Sequence, residues 1–342
     1  MSMADNIAKA GPADGGVAPA GQAPRGKAAE MPPDPERITR RMRLVNASSV
    51  LFVLFLLVNL LPDVTRKGSE PLYAIVPLAV IELVVLVVSL ATKRRATRDV
   101  VVDVSAVVYL VFGAWLLCSA KLDLLPQKMF PAPGYVLSRI VEDWEQIWEG
   151  IGSSLGLIGE GFVLGGAVGI VLGLVLGAGA RSCRAAEKVV TFLAAIPPIV
   201  YIPYGIALLP TFRASSLLVI FLATLWPTLT ATLAGVQGVE RRALDSARVL
   251  GVKGPTMLFR VILPASLPLI FNGLNMGLCM SFILLTSAEM IGGNTGMGYY
   301  VKFYSDYGDY SRILAGIIVI GIVICAISVA FSKLRQHLTR WK

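Results

Sequence analysis

The feature that most constrains this chain is a series of long apolar runs, at roughly 45–62, 72–92, 100–120, 154–179, 189–209, 215–236, 267–289 and 312–332. A bilayer core about 30 Å thick is crossed by ~20 apolar residues of helix. Inside it every backbone polar group must be satisfied within the segment, which favours helices over irregular chain. The runs therefore predict an all-α, polytopic membrane protein with eight spans. Composition agrees, since only 15% of the 342 residues are charged and mean hydropathy is +0.71, too little charge to wet a soluble surface.

The formal charge of +9 would suggest a nucleic-acid partner in a soluble chain. Here it follows the loops, and no nucleic-acid partner is expected. Residues 37–43, 93–98, 181–188, 241–260 and the tail from Lys333 hold 20 Lys and Arg, and the opposite face holds 8. That bias predicts that the first set is cytoplasmic, with both termini on that side. Cys118, Cys279 and Cys325 lie in apolar runs and Cys183 in a polar loop, with no spacing that suggests a disulfide framework or a metal site. The one histidine, His337, stands alone in the C-terminal tail. No catalytic constellation is visible, which argues against a membrane-bound enzyme.

Residues 1–43 form a separate zone in which Gly, Pro and Ala supply 20 positions. They read as a disordered cytoplasmic tail, without the apolar stretch of a signal peptide. Residues 44–99 hold the first two spans. Between spans three and four, Pro133 to Gly150 is amphipathic, with Val136, Ile140, Trp144, Ile147 and Trp148 at helical spacing. It reads either as a helix lying on the bilayer surface or as a loop helix packed on its own protein.

The most informative segment is the basic loop 239–268, between spans six and seven. A short helix is expected over Ala243–Leu250, then a sharp turn at Gly251 and Gly254. A second helix is expected to start near Pro255, because proline is tolerated in a first turn. Within it Asp245-Ser246-Ala247 is followed, after three residues, by Gly251 and, after nine more, by Val261-Ile262-Leu263-Pro264.

Here the chain resembles the permeases of ABC importers, whose signature is Glu-Ala-Ala, three residues, Gly, nine residues, Ile-x-Leu-Pro. The spacing matches throughout; Asp replaces Glu, Ser replaces the first Ala, and Val replaces Ile. The shorter acid reaches less far towards a partner. The resemblance runs from about Val104 to Lys342 and is nearest to the nitrate/sulfonate/taurine group. Phe130-Pro131-Ala132-Pro133, Ala195-Ile196-Pro197-Pro198, Tyr201-Ile202-Pro203 and Ala288-Glu289-Met290-Ile291 carry it, with the glycines of 292–298. It implies a type I importer permease domain over 100–342, a core of about six spans, with two extra N-terminal spans outside the match. It also implies that Asp245, Ser246, Ala247, Gly251, Leu263 and Pro264 form a coupling helix and its turn, seated in a cleft of an ATPase subunit. No Walker A pattern occurs, so this chain is expected to be no enzyme and to bind no cofactor itself. A partner ABC ATPase would use ATP and Mg. Further implied partners are a periplasmic or lipoprotein substrate-binding protein, a second permease copy in a homodimer, and membrane lipid. The implied substrate is a small anion such as nitrate, bicarbonate, taurine or another sulfonate, carried across the bacterial inner membrane.

Inside the membrane, Pro197, Pro198 and Pro203 interrupt span five near Tyr201. They read as a kink at the pathway or gate, or as a packing kink. Glu289 is an ionisable residue near the outer end of span seven. It either anchors the Gly-rich loop through backbone N–H groups or lines the pathway, where it would repel an anion. Glu160 and Glu82 are similar cases with less context, the partner of Glu82 being a basic residue of a neighbouring span or water. Gly165, Gly166, Gly169, Gly173 and Gly177 suit a close helix crossing. The rival function, a self-sufficient secondary transporter or channel, would favour several deep charges or an inverted repeat, and neither stands out.

Overall fold

The computed structural model describes residues 46–64, 69–91 and 95–339, and these are all helix and connecting turns. The expected disordered tail lies outside the described residues, as do Arg66, Lys67, Lys93, Arg94, Arg340 and Lys342 of the charge pattern. The helices are α1 (Ala47–Leu60), α2 (Pro71–Ala91), α3 (Arg95–Leu116, continued by a π turn to Lys121), α4 (Pro133–Glu142) and α5 (Trp144–Gly177). Then come α6 (Ala180–Ala194), α7 (Tyr201–Leu208), α8 (Phe212–Gln237) and α9 (Arg241–Val249). A turn at Pro255–Met257 and a π turn to Ile262 lead into α10 (Leu263–Gly292), followed by α11 (Met297–Asp306) and α12 (Tyr310–Leu338).

Among the described residues six helical segments are long and apolar enough to cross a bilayer, and the bent pair α6–α7 makes a seventh if it counts as one span. The expected span at 45–62 is a helix, but a shorter one than a full crossing. It is a 14-residue helix, about 21 Å long at 1.5 Å per residue. Its end has a local cause: Leu61 turns extended (φ −65°, ψ 145°) because it precedes Pro62, and a residue before proline is pushed out of helix. The N-terminal extension therefore holds one membrane-length helix, α2, and one short apolar helix where two spans were expected.

The amphipathic stretch is also not one helix. It breaks at Asp143 (φ −96°, ψ 21°), and Trp144 onward runs without interruption into the membrane as α5. Cys183, expected in a polar loop, is buried in α6 against Leu229 and Leu233.

Polar side chains hold α1, α2 and α3 together. The Glu82 carboxylate, in α2, accepts hydrogen bonds from Ser49 Oγ of α1 at 2.5 Å and Tyr109 Oη of α3 at 3.0 Å. Its partners are thus hydroxyls, not a basic residue. At the other end of the bundle Lys121 Nζ, itself buried, donates to Asn59 O at 3.3 Å, to Leu61 O and to Asp63 Oδ1 at 2.7 Å. It satisfies carbonyls that α1 leaves open at its C-terminus. The bundle joins the rest of the chain through α4. Trp115 Nε1 donates to Pro131 O at 3.0 Å, and a Cβ on Gly134 would collide with the carbonyls of Ser69 and Glu70.

The centre of the molecule is α8, with α5 on one side and α10 on the other. Gly161, Gly165, Gly169, Gly173 and Gly177 of α5 face Ile220, Thr224, Thr228, Thr232 and Val236 of α8, one glycine per turn. Both helices keep this four-residue register, so they run parallel. On the other side α10 runs antiparallel to α8. Its Ser266 meets Gly235, its Gly273 meets Ala231, and its Gly277 meets Thr224. Thr224 Oγ1 and Ser281 Oγ share a hydrogen bond at 2.9 Å between these helices. Small residues let backbones approach, which is how helices associate where lipid removes the hydrophobic drive. Leu157, Ile158, Ile220, Leu278, Phe282 and Leu285 fill the space beyond this seam.

Gly173→Val is expected to break the α5–α8 seam, since a Cβ at 173 would lie 2.5 Å from Thr232 Cβ. Overpacking of this kind costs about 1–3 kcal/mol, so detergent-solubilised protein should melt several degrees lower. Gly152→Ala, with open space around it, should melt like the wild type. Burial works to raise the Asp63 carboxyl, but hydrogen bonds from Lys121 and Ser69 and the Lys121 charge outweigh it and hold the group below the usual carboxylate range. Its contribution is therefore present above the unfolded value of about 3.9 and is lost as pH falls through the lower folded value. The difference in melting temperature between wild type and Asp63→Asn should be constant from pH 7 to about 5 and shrink below pH ~4.

Candidate functional site

The loop 239–268 is built as two helical segments. In α9 the expected start at Ala243 moves back to Arg241. Its end is a Schellman motif: Val252 N donates to Ala247 O at 3.0 Å and Gly251 N to Arg248 O at 2.9 Å. This motif needs left-handed backbone at Gly251, whose φ is +78°, and glycine takes that conformation without strain. Gly254 (φ +56°) then turns the chain into Pro255. Ala247 packs inward, while Asp245 and Ser246 are exposed. Asp245 pairs with Arg248 at 2.9 Å, both about two-thirds exposed. An exposed helical pair contributes only about 0.3–0.5 kcal/mol, so either charge is free to exchange partners. The next two residues, Val249 and Leu250, are 87% and 81% exposed, an unusual degree for aliphatic side chains at a helix end. Behind the helix a cleft of about 690 Å³ opens between Val175 and Gly177 of α5, Val236 of α8, and Leu244, Met257 and Phe259. Leu263 and Pro264 occupy the first turn of α10, half-buried, so they set where the loop re-enters the bundle and do not share its exposed tip.

The broken segment gathers the proline candidates. Pro197 is extended, Pro198 opens a 3₁₀ turn, and α7 begins at Tyr201, with a 59° bend between α6 and the 198–208 segment. Pro203 and Pro197 are exposed, and Pro198 and Tyr201 half-exposed. Only Ile202 and Gly205 turn in, with Ile202 against Val219, Ala223, Leu284 and Ala288. The segment thus lies along α8 and the C-terminal half of α10 by one narrow edge.

Glu289 is on the same C-terminal half of α10 but faces α5 and α11. Its side chain is fully buried. Oε1 accepts from Ser154 Oγ of α5 at 2.6 Å and Oε2 from the backbone N of Gly298 at 2.7 Å. Ser154 Oγ in turn accepts from Met297 N at 3.0 Å. Glu289 and Ser154 therefore cap the first two N–H groups of α11, where a negative charge is favoured by the helix dipole. Gly296 (φ +115°) lies directly over the carboxylate, leaving no room for a Cβ. The geometry ties α5, α10, the Gly-rich loop and α11 at one point. Glu160, by contrast, is exposed and pairs with Arg213.

A second polar knot was not anticipated from sequence. Arg312 Nε donates to Asp143 Oδ2 at 2.6 Å and its Nη1 to Asp309 Oδ2 at 2.9 Å. Tyr300 Oη donates to Asp143 Oδ2 at 2.8 Å. Burial and the neighbouring Asp143 push the Tyr300 phenol up, so it stays a donor. Burial works to raise the Asp309 carboxyl, but hydrogen bonds from Ser311 and Arg312 outweigh it and hold it low while it caps α12. The break at Asp143 is thus held by the start of α12. The only advance signal was an Arg-Asp pairing across far-separated loops, which has no spacing rule. No cluster of three metal-ligating residues occurs among the described residues.

Residues 167–342 match the family model described as "Binding-protein-dependent transport system inner membrane component". A probable ABC transporter permease protein of Brucella abortus is 33% identical over 232 residues, covering 67% of this chain and 91% of that relative. The taurine transport system permease protein of Escherichia coli is 27% identical over 252 residues, 72% of this chain and 91% of the relative. A nitrate import permease protein of Leptolyngbya laminosa is 29% identical over 176 residues, 52% of this chain and 63% of the relative.

Glu289→Ala would strand the Ser154 hydroxyl and the Gly298 N–H in a buried site, at a cost of about 1–3 kcal/mol for each unsatisfied group. It should lower the melting temperature and open residues 292–298 to limited proteolysis, while Glu289→Gln, which keeps one acceptor, should fall between.

Proposed function

We infer what this chain carries and how it is driven from one premise: it belongs to the binding-protein-dependent transport system inner membrane component family. It is the permease subunit of an ABC importer, a non-catalytic translocating component, and ATP hydrolysis is the work of a separate subunit. The reading we add is that α9 is the coupling helix and that the cargo is a small anion. The taurine and nitrate permeases among its relatives support the cargo.

The observation that carries the coupling role is the tip of the cytoplasmic loop. Val249 and Leu250 stand in solvent beside an exchangeable Asp245–Arg248 pair, on a helix end locked by the Gly251 turn. Exposed aliphatic residues ringed by charge mark a surface made for a partner. Leu263 and Pro264 would carry motion of that tip into α10, and from α10 across the seam to α8. The exposed prolines and Tyr201 of the α6–α7 break would face the pathway or gate. Glu289, engaged with Ser154 and Gly298, would hold the outer loop rather than touch the anion.

The assembly that follows has two permease copies, two ATPases using ATP and Mg, and an external binding protein. It would sit in the bacterial inner membrane, with α9 and both termini facing the cytoplasm. Two N-terminal crossings are part of this proposal, with the bilayer thinned around the short α1.

Asp245→Lys should leave the melting temperature within about a degree of wild type, because its surface pair contributes so little. It should lower substrate-stimulated ATP hydrolysis of the reconstituted transporter at least tenfold. Wild-type turnover in that variant would overturn the coupling role. Transport by the chain alone in liposomes without ATP would favour a secondary transporter instead.

A further inference from the structure

At the outer end of the bundle the first turns of α5, the 293–296 loop and α11 enclose a cleft of about 230 Å³. Gln146, Glu149, Asn294, Thr295, Tyr299 and Tyr300 line it. Its walls are rigid. Ser153 Oγ and Thr295 Oγ1 share a hydrogen bond at 3.1 Å, Tyr300 is tied to Asp143, and Tyr304 Oη donates to Gln146 Oε1 at 3.2 Å. The floor is Gly296, pressed against Gly150 and pinned over the Glu289 carboxylate.

The charges around this cleft do not balance. Each cation on the framing helices is already paired: Arg139 with Glu142, Lys302 with Asp306, and Arg312 with Asp143 and Asp309. Glu145 and Glu149 make no ion pair among the described residues and are exposed. An anionic substrate would be repelled here, which separates the cleft from the transport pathway. A cation would find a preformed counter-ion in Glu149, amide and hydroxyl acceptors around it, and the ring of Tyr299 beside it. Such a ring attracts ammonium and guanidinium groups.

We propose that this cleft receives a lysine or arginine side chain of the substrate-binding protein, with Glu149 as its counter-ion. The proposal rests on the importer reading above, which places the cleft on the outer side. The space suits one long side chain, and a basic tip would neutralise the surplus carboxylate. Since Glu149 immediately precedes Gly150, which bears on Gly296, occupation of the cleft would press on the same loop that Glu289 anchors. Docking would thereby be felt at the end of α10.

The test uses the whole transporter in nanodiscs, permease with its ATPase, and the purified binding protein that is recovered with it from native membranes. Where the seated side chain is a lysine, carbodiimide treatment should join Glu149 to its amine, as mapped by mass spectrometry. Glu149→Gln should remove the product. Glu149→Lys should raise the Kd of the binding protein at least tenfold in low salt and flatten its salt dependence. Hydrolysis without binding protein, measured alongside, checks assembly. Wild-type affinity and salt dependence in Glu149→Lys, with the wild type stimulated normally, would overturn the docking site alone. A wild type that no binding protein stimulates would overturn the importer reading and the docking site with it.

Discussion

The transmembrane core depends on how closely two backbones approach α8. In lipid the hydrophobic effect does not drive helices together, so dispersion contacts and interhelical hydrogen bonds must suffice. Five glycines of α5, one per turn, let it lie in contact with Thr224, Thr228 and Thr232, and Gly273 and Gly277 do the same for α10 from the other side. Thr224 serves both seams. Its Cβ meets Gly165, its Cα and methyl meet Gly277, and its hydroxyl shares a hydrogen bond with Ser281. A unit packed backbone to backbone is stiff, which would suit the displacement between membrane faces that the proposed coupling requires.

The three buried charged residues, Glu82, Lys121 and Glu289, follow one rule: each is satisfied locally by groups that belong to other elements. Glu82 joins α1 to α3, Lys121 closes the carbonyl end of α1, and Glu289 joins α5, α10 and α11. A buried carboxylate left unpaired would be costly, so each acts as a clamp whose removal is felt by several helices. None of the three is left free as a relay for a coupled ion. That sits with a transporter whose energy arrives from a separate ATPase.

The two ends of the bundle differ in kind. The α9 tip is apolar and exposed, with Val249 and Leu250 at its end. The opposite end is polar and cross-braced by Arg312, Asp143, Tyr300 and Asp309. An exposed apolar tip and a braced opposite end would suit the proposed importer, driven from inside and loaded from outside.

Residue spacing by itself determined the class of this protein. Run length sets membrane helices because bilayer thickness is fixed, and Asp245-Ser246-Ala247, Gly251 and Leu263-Pro264 mark the loop because a helix, a left-handed turn and a re-entry are all local. The glycine spacing in α5 likewise announced a close crossing, since its period is that of one helix. Tertiary structure decided the rest. Apolar run length could not see that Leu61 unwinds before Pro62, nor that Trp144 continues into the membrane while Asp143 breaks the helix. Ser154 and Glu289 are 135 positions apart, and Asp143 and Arg312 are 169. No periodicity links such residues. They meet only because packing of α5, α8 and α10 brings their helix ends together, and hydrogen-bond partners are chosen by distance in space rather than along the chain.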